Sequence, residues 1–284
     1  SDCLVGSEMC IRDSLYSVKK NQNKTIDSLT IDMKVSAGLI NTYFNDENKL
    51  YFEISENLLG KELLVVTRLA QLPGDYAGYL NAGSKTAEHV VQFEKHAKKI
   101  LLKEVSFTNI SDEGDPISLS VAVNNFKPIL GAFDIKNSED DRYLIDVSSY
   151  FMSDSPGFNI IRSYEKDNYK MGGVDKKRSF IDSARSFPRN TEILHTLTFS
   201  VNKAPRGNRT KTFSFQINHS IIALPDDPMP VRYEDERVGW FTLNKINYSS
   251  EKLKSDSYNI VRKWRLEPSD IDAYNRGELV EPIK

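Results

Sequence analysis

The chain has 284 residues, 39% of them apolar and 10% aromatic, and its 38 basic and 40 acidic side chains leave a formal charge of −2. That balance excludes the basic footprint of a nucleic-acid binder, two cysteines are too few for a disulfide framework or a Cys-rich zinc module, and the longest apolar runs, such as Leu63-Leu64-Val65-Val66, fall far short of the ~20 residues of a membrane-spanning helix. A chain of this size buries roughly 75% of its unfolded surface, which suits one large or two modest domains.

Taken in order, Leu4-Val5-Gly6-Ser7-Glu8-Met9-Cys10-Ile11-Arg12-Asp13-Ser14 looks like a translated sequencing adapter, so residues 1–14 are expected to be an artefact and are set aside. Cys3 and Cys10 both lie in or beside that run, leaving the remainder with no thiol nucleophile or cysteine latch. On this expectation no signal peptide is present in the chain. A helix is predicted over Ser14 to Lys20, continuing in fragments to about Lys34. Period-two alternation then marks strands at Ile40–Phe44, Leu50–Ile54, Val90–Lys95, Ile100–Phe107, Ile129–Ile135, Tyr143–Val147 and Thr212–Ile217. Polar turns at 45–48, 96–99 and 136–141 join neighbours as hairpins, which implies antiparallel pairing. Helices are expected where Asp115-Pro116 opens Ile117 to Asn124 and where Pro268-Ser269-Asp270 opens Ile271 to Asn275. The stretches Glu165–Lys177 and Lys203–Lys211 are expected to be surface loops. The expected fold is therefore β-dominated α+β, with antiparallel sheets, sandwich-like or strongly curved, and a few short helices. A small N-terminal domain is expected over 15–72 and a β-rich domain over 77–250, with a strand and linker over 251–284. The break at Leu72-Pro73-Gly74-Asp75 serves either as that boundary or as a loop within one domain.

Chemistry is sparse. Helical zinc hydrolases present two histidines four apart with a Glu between them, and no His-Glu-x-x-His occurs. His89 and His96 are seven apart in a strand-and-turn pattern, on opposite faces, and His195 and His219 each sit alone in a strand, where a hydrogen-bonded structural histidine is the commoner use. Gly78 to Lys85 has phosphate-loop glycine spacing but reverses Lys and Ser and follows no apolar strand, so it is read as a loop. Neither a Gly-x-Ser-x-Gly elbow nor a calcium loop is present. No catalytic, cofactor-binding or metal residue is assigned.

The run His219 to Arg232 (His-Ser-Ile-Ile-Ala-Leu-Pro-Asp-Asp-Pro-Met-Pro-Val-Arg), then Arg237-Val238-Gly239-Trp240-Phe241 and Lys263-Trp264-Arg265-Leu266-Glu267-Pro268, resembles the N-terminal region of a family of bacterial secreted zinc-dependent metalloproteases, a region built from two domains of unknown function. Lys177-Arg178-Ser179-Phe180, Ser186-Phe187-Pro188 and Leu50 to Arg68 extend the resemblance over nearly all of 40–284. It implies that the chain is the non-catalytic scaffold of a zinc metallopeptidase, docking on or positioning a C-terminal catalytic domain and inactive alone. It also implies zinc in that absent domain, none in this fragment, and an extracytoplasmic location (periplasmic, outer-membrane-associated or secreted). The prolines at 225, 228 and 230 stiffen a connector, and the candidate domain junction is Arg232, Arg237, Trp240, Trp264, Arg265 and Glu267. Expected partners are the chain's own catalytic domain and a peptide or protein substrate, with no nucleic acid and no transmembrane segment. Two alternatives stand beside this one. A polymer- or peptide-binding β-rich module would use Tyr76, Tyr79, Tyr164 and Tyr169 as rigid contact rings, and an inhibitory prosegment would have Asp75 as its one candidate latch.

Overall fold

The computed structural model describes residues 25–74, 76, 80–205, 209–249, 254–263 and 268–280. A short helix α1 (Ile26–Thr30) precedes β1 (Lys34–Ser36), β2 (Asn41–Phe44), β3 (Leu50–Ser55) and β4 (Glu62–Gln71). Next come β5 (Lys85–His96), β6 (Lys99–Val105), β7 (Asn109–Ile110), α2 (Ile117–Asn124), β8 (Ile129–Glu139) and β9 (Arg142–Asp146). Helices α3 (Ser148–Phe151) and α4 (Ser163–Tyr169) lead to β10 (Met171–Val174), β11 (Phe180–Ser186), β12 (Asn190–Val201) and β13 (Thr212–Ala223), followed by β14 (Thr242–Asn247), β15 (Asp256–Val261) and α5 (Ile271–Asn275).

The hairpins follow from local turn chemistry. Asn45 folds its side chain back to accept from the backbone N–H of Glu47 and Lys49, each at 3.1 Å, while Asn48 takes a φ of 62°. Asp140 and Asp141, both at positive φ, form a two-residue loop between paired Glu139 and Arg142, the geometry that matches strand twist. That hairpin is tighter than the 136–141 turn expected from sequence, because β8 stays paired as far as Glu139.

Twelve strands form one antiparallel sheet, ordered β1-β2-β3-β9-β8-β6-β5-β4-β13-β12-β10 with β11 also on β12. The sheet is nearly barrel-shaped, and its ends approach across a seam held by both backbone and side-chain hydrogen bonds. Ser186 N–H donates to Ser36 Oγ at 2.8 Å, Leu39 N–H to the Phe187 carbonyl at 2.8 Å, and Ile181 N–H to Asn48 Oδ1 at 2.9 Å. Gly38 is required here, since a Cβ would stand 2.5 Å from both the nitrogen and the oxygen of Phe187.

Alternation places Leu63, Val65 and Leu69 of β4 on the same buried face as Ile193, Leu197, Phe199 and Val201 of β12 and Phe213, Phe215, Ile217 and Ile221 of β13. Besides a small cluster of Ile26, Tyr43 and Leu144, the interior holds two larger apolar clusters. One gathers Ile40, Phe52, Ile54, Val65, Phe93, Ile100, Phe151 and Phe158; the other gathers Leu69, Tyr76, Ile160, Leu197, Phe199, Phe213 and Phe215. The 72–75 break falls between β4 and β5, which are adjacent strands of the same sheet.

The expected loop at 165–177 is instead α4 and β10. Glu165, 2% exposed, accepts the Arg162 backbone N–H at 3.1 Å and the Tyr76 hydroxyl at 2.8 Å, so a polar-looking segment is nailed into the core. Within the 203–211 loop, residues 206–208 lie outside the described residues, as does the predicted helix at 14–20. The helices predicted at 117–124 and 271–275 form as expected.

Candidate functional site

Beyond the barrel, β15, β14 and β7 make a separate three-stranded sheet, with β14 pairing antiparallel to β15 and parallel to β7. The connector after β13 reaches this sheet and brackets the end of β15 from both sides. On one side Val261 N–H donates to the Arg232 carbonyl at 2.8 Å and Glu234 N–H to the Asn259 carbonyl at 2.9 Å. On the other, Arg262 N–H donates to the Phe241 carbonyl at 2.9 Å and the Trp240 indole N–H to the Arg262 carbonyl at 2.9 Å.

Between these arms the chain turns on Asp235. Its carboxylate accepts from Arg237 Nε at 2.9 Å and Nη2 at 2.6 Å and from the Arg237 backbone N–H at 3.0 Å. Those hydrogen bonds, with the more distant Arg232 charge, hold the Asp235 carboxyl down at about 2. The open pocket they form has a volume of about 420 Å³ and is lined by Arg232, Tyr233, Val238, Trp240, Val261, Arg262 and Lys263 together with Asp235. Of the predicted junction residues, Arg232 and Trp240 line this pocket and Arg237 braces its turn, while Trp264, Arg265 and Glu267 lie outside the described residues.

The surroundings are unusually apolar for a surface. Trp240 is 53% exposed and Phe241 74%, with Val231, Tyr233, Val238 and Leu243 also exposed. Across β7, none of the side chains of α2 is buried, although it carries Ile117, Leu119, Val121 and Val123. The sequence explains why. These residues alternate with Ser118, Ser120 and Ala122, so at 100° per residue they fall on opposite sides of the helix, and one contact surface cannot cover them all.

A second polar site lies deep in the fold, between the two apolar clusters, where sequence reasoning saw only two separate histidines. Register brings them together, since His219 stands opposite Ile193 and Thr67 while His195 stands opposite Ile217. His195 Nε2 and His219 Nε2 are 2.9 Å apart, and His219 Nδ1 is 2.9 Å from Thr67 Oγ1. Both rings are buried, stacked at 4.9 Å between centroids, with Phe151 and Phe158 against them. His195 Nδ1 is buried with no partner at ordinary hydrogen-bond geometry. Burial lowers His195 to about 4, the Phe151 carbonyl opposing it, and burial together with His195 puts His219 well below the ordinary imidazole value. The 2.9 Å separation is that of a hydrogen bond, and no third His, Cys, Asp or Glu among the described residues joins the pair as a metal site would require. Only strand register, which no local pattern carries, could have revealed this pair.

His89 takes a different partner, Glu104 Oε1 at 2.8 Å, at the surface. No group of three His, Cys, Asp or Glu among the described residues stands close enough to hold a metal ion, and no described helix is long and apolar enough to cross a membrane. Of the four tyrosines considered for a binding module, Tyr76 is 3% exposed and packs on Phe213 and Phe215, Tyr169 packs beside it, Tyr164 is exposed, and Tyr79, like Asp75, lies outside the described residues.

Comparison with known sequences finds two matches to family models, a domain of unknown function (DUF5118) over residues 23–72 and a domain of unknown function (DUF5117) over residues 83–269. No curated protein and no solved structure matches the chain.

Proposed function

The chain belongs to the DUF5117 family, and from that premise we propose that it is a non-catalytic docking scaffold that positions a zinc-peptidase domain of the same polypeptide outside the cytoplasm. The observation that carries the docking role is the apolar surface of the small sheet and α2. Val231, Val238, Trp240 and Phe241 on one side and Leu119, Val123 and Phe126 on the other are each more than half exposed. Apolar surface of this kind, bordered by polar residues, marks a protein contact. The choice of a peptidase as the occupant rests on the sequence resemblance of the segments ending in Arg232, Phe241 and Pro268 to the metalloprotease N-terminal region.

The barrel supports such a role mechanically. It supplies a rigid body, while the proline-stiffened connector and the small sheet present the contact. The experiment pairs the purified chain with the peptidase domain recovered from the full reading frame. Calorimetry is expected to give a complex, weakened about tenfold or more by Trp240→Ala with Phe241→Ala, as aromatic anchors at an interface centre behave. A reading frame without a peptidase domain, or one whose domain fails to bind, overturns the proposal. Inhibition of the peptidase on complex formation would instead identify a prosegment.

A further inference from the structure

The pocket at the end of β15 has a chemical character of its own. Among the described residues, three cationic side chains, Arg232, Arg262 and Lys263, line it against a single carboxylate, Asp235, which Arg237 already clasps through two nitrogens. Lys263 Nζ donates to the Pro230 carbonyl, which ties that ammonium to the wall, whereas neither Arg232 nor Arg262 forms an ion pair among the described residues. Glu234 is turned away to accept from Asn259 Nδ2 at 2.5 Å, and Glu236 lies on the turn outside the lining. The rest of the lining is Tyr233, Val238, Trp240 and Val261.

We infer that this pocket binds an acidic polypeptide segment carrying an apolar side chain between carboxylates, supplied by the domain that docks on this face; the inference rests on the docking reading above. The apolar walls call for an apolar group, and about 420 Å³ lies within the ordinary range for a ligand pocket. Guanidinium groups at the rim pair with carboxylates in fork geometry, which adds direction to the charge. A phosphate chain would match the charge but leave the aliphatic walls uncovered, and the chain lacks the basic stripe that nucleic acid requires.

The test uses the full chain and fluorescence anisotropy with labelled pentapeptides. One has leucine between pairs of acidic residues, one has leucine between pairs of lysines, and one replaces the central leucine of the acidic peptide by glycine. The acidic leucine peptide is expected to bind about tenfold or more tightly than either control, since losing a leucine contact or inverting the charge is each worth at least that. Binding should weaken in 0.5 M salt, a chosen condition at which the Debye length shrinks to about 4 Å. Arg232→Glu and Arg262→Glu should each reduce affinity about tenfold without unfolding, because these side chains are exposed and the backbone bonds around them remain. Equal binding of acidic and lysine peptides, unchanged affinity in both variants with a native circular dichroism spectrum, or tighter binding of a short single-stranded oligonucleotide would each overturn the inference. If the peptides fail while the peptidase domain still binds, only the pocket assignment falls. If the peptides bind and the domain does not, the docking reading falls instead.

Discussion

Acidification should destabilise this fold through the buried histidine pair. Above about pH 6.5 both rings are neutral whether the chain is folded or not, and the pair's contribution is fully present. As pH falls below that value the unfolded chain takes up protons that the folded interior refuses, so stability declines until His195 protonates in place near pH 4. The gap between about 4 in the fold and the ordinary 6.5 corresponds to about 3 kcal/mol for His195, with His219 acting in the same direction. His195→Gln removes this titration while keeping an amide able to donate to His219 Nε2. Urea unfolding followed by circular dichroism from pH 7.5 down to 3.5, chosen to bracket both values, should show the wild type losing about 3 kcal/mol more than the variant. Parallel pH profiles for the two proteins, or an NMR titration placing the His195 ring near 6.5, would refute the reasoning.

Gly38→Ala should cost about 1–3 kcal/mol, read as a lower urea midpoint, because its Cβ meets backbone atoms of Phe187 that cannot retreat without opening the seam. Tyr43→Phe should cost about 1–3 kcal/mol in the same assay, since Tyr43 donates at 2.6 Å to Glu53, a carboxylate only 4% exposed whose other neighbours are Asn41 and Arg142. Leu119→Ser with Val123→Ser should leave stability within about 0.5 kcal/mol, the side chains being 75% and 79% exposed, yet weaken capture of the peptidase domain; a large loss of stability would show that α2 is packed more tightly than its exposure indicates.

What the sequence disclosed was local. Strand alternation at Leu50–Ile54 and Thr212–Ile217 and the turn signals at Asn48 and Ala97 act over a few residues, so the β-dominated, antiparallel class could be read directly, whereas the choice between a sandwich and a strongly curved sheet could not. Arg232, Arg237 and Trp240 are named on the family resemblance; the prolines at 225, 228 and 230 by themselves mark only a stiff connector. The stretch Glu165–Lys177 reads as a loop because its polar composition hides the feature that anchors it, a buried Glu165 satisfied by the distant Tyr76. The pairing of His195 with His219 was invisible for a related reason. Each residue follows the alternation of its own strand, and only the β12–β13 register brings the two rings into contact. Likewise, Asp115-Pro116 announced a helix at 117–124 but could not say that its apolar residues would find no cover.

Strand β4 fastens the two matched segments to each other. It belongs to the shorter matched segment, yet it lies between β5 and β13 of the longer one, bonded to both along most of its length. Cutting the gene at Leu72 would strip two long ladders of their common neighbour, and both fragments would display raw edges that invite clumping. The two matched segments are therefore one folding unit, and either half made alone should aggregate while both made together should give a soluble product.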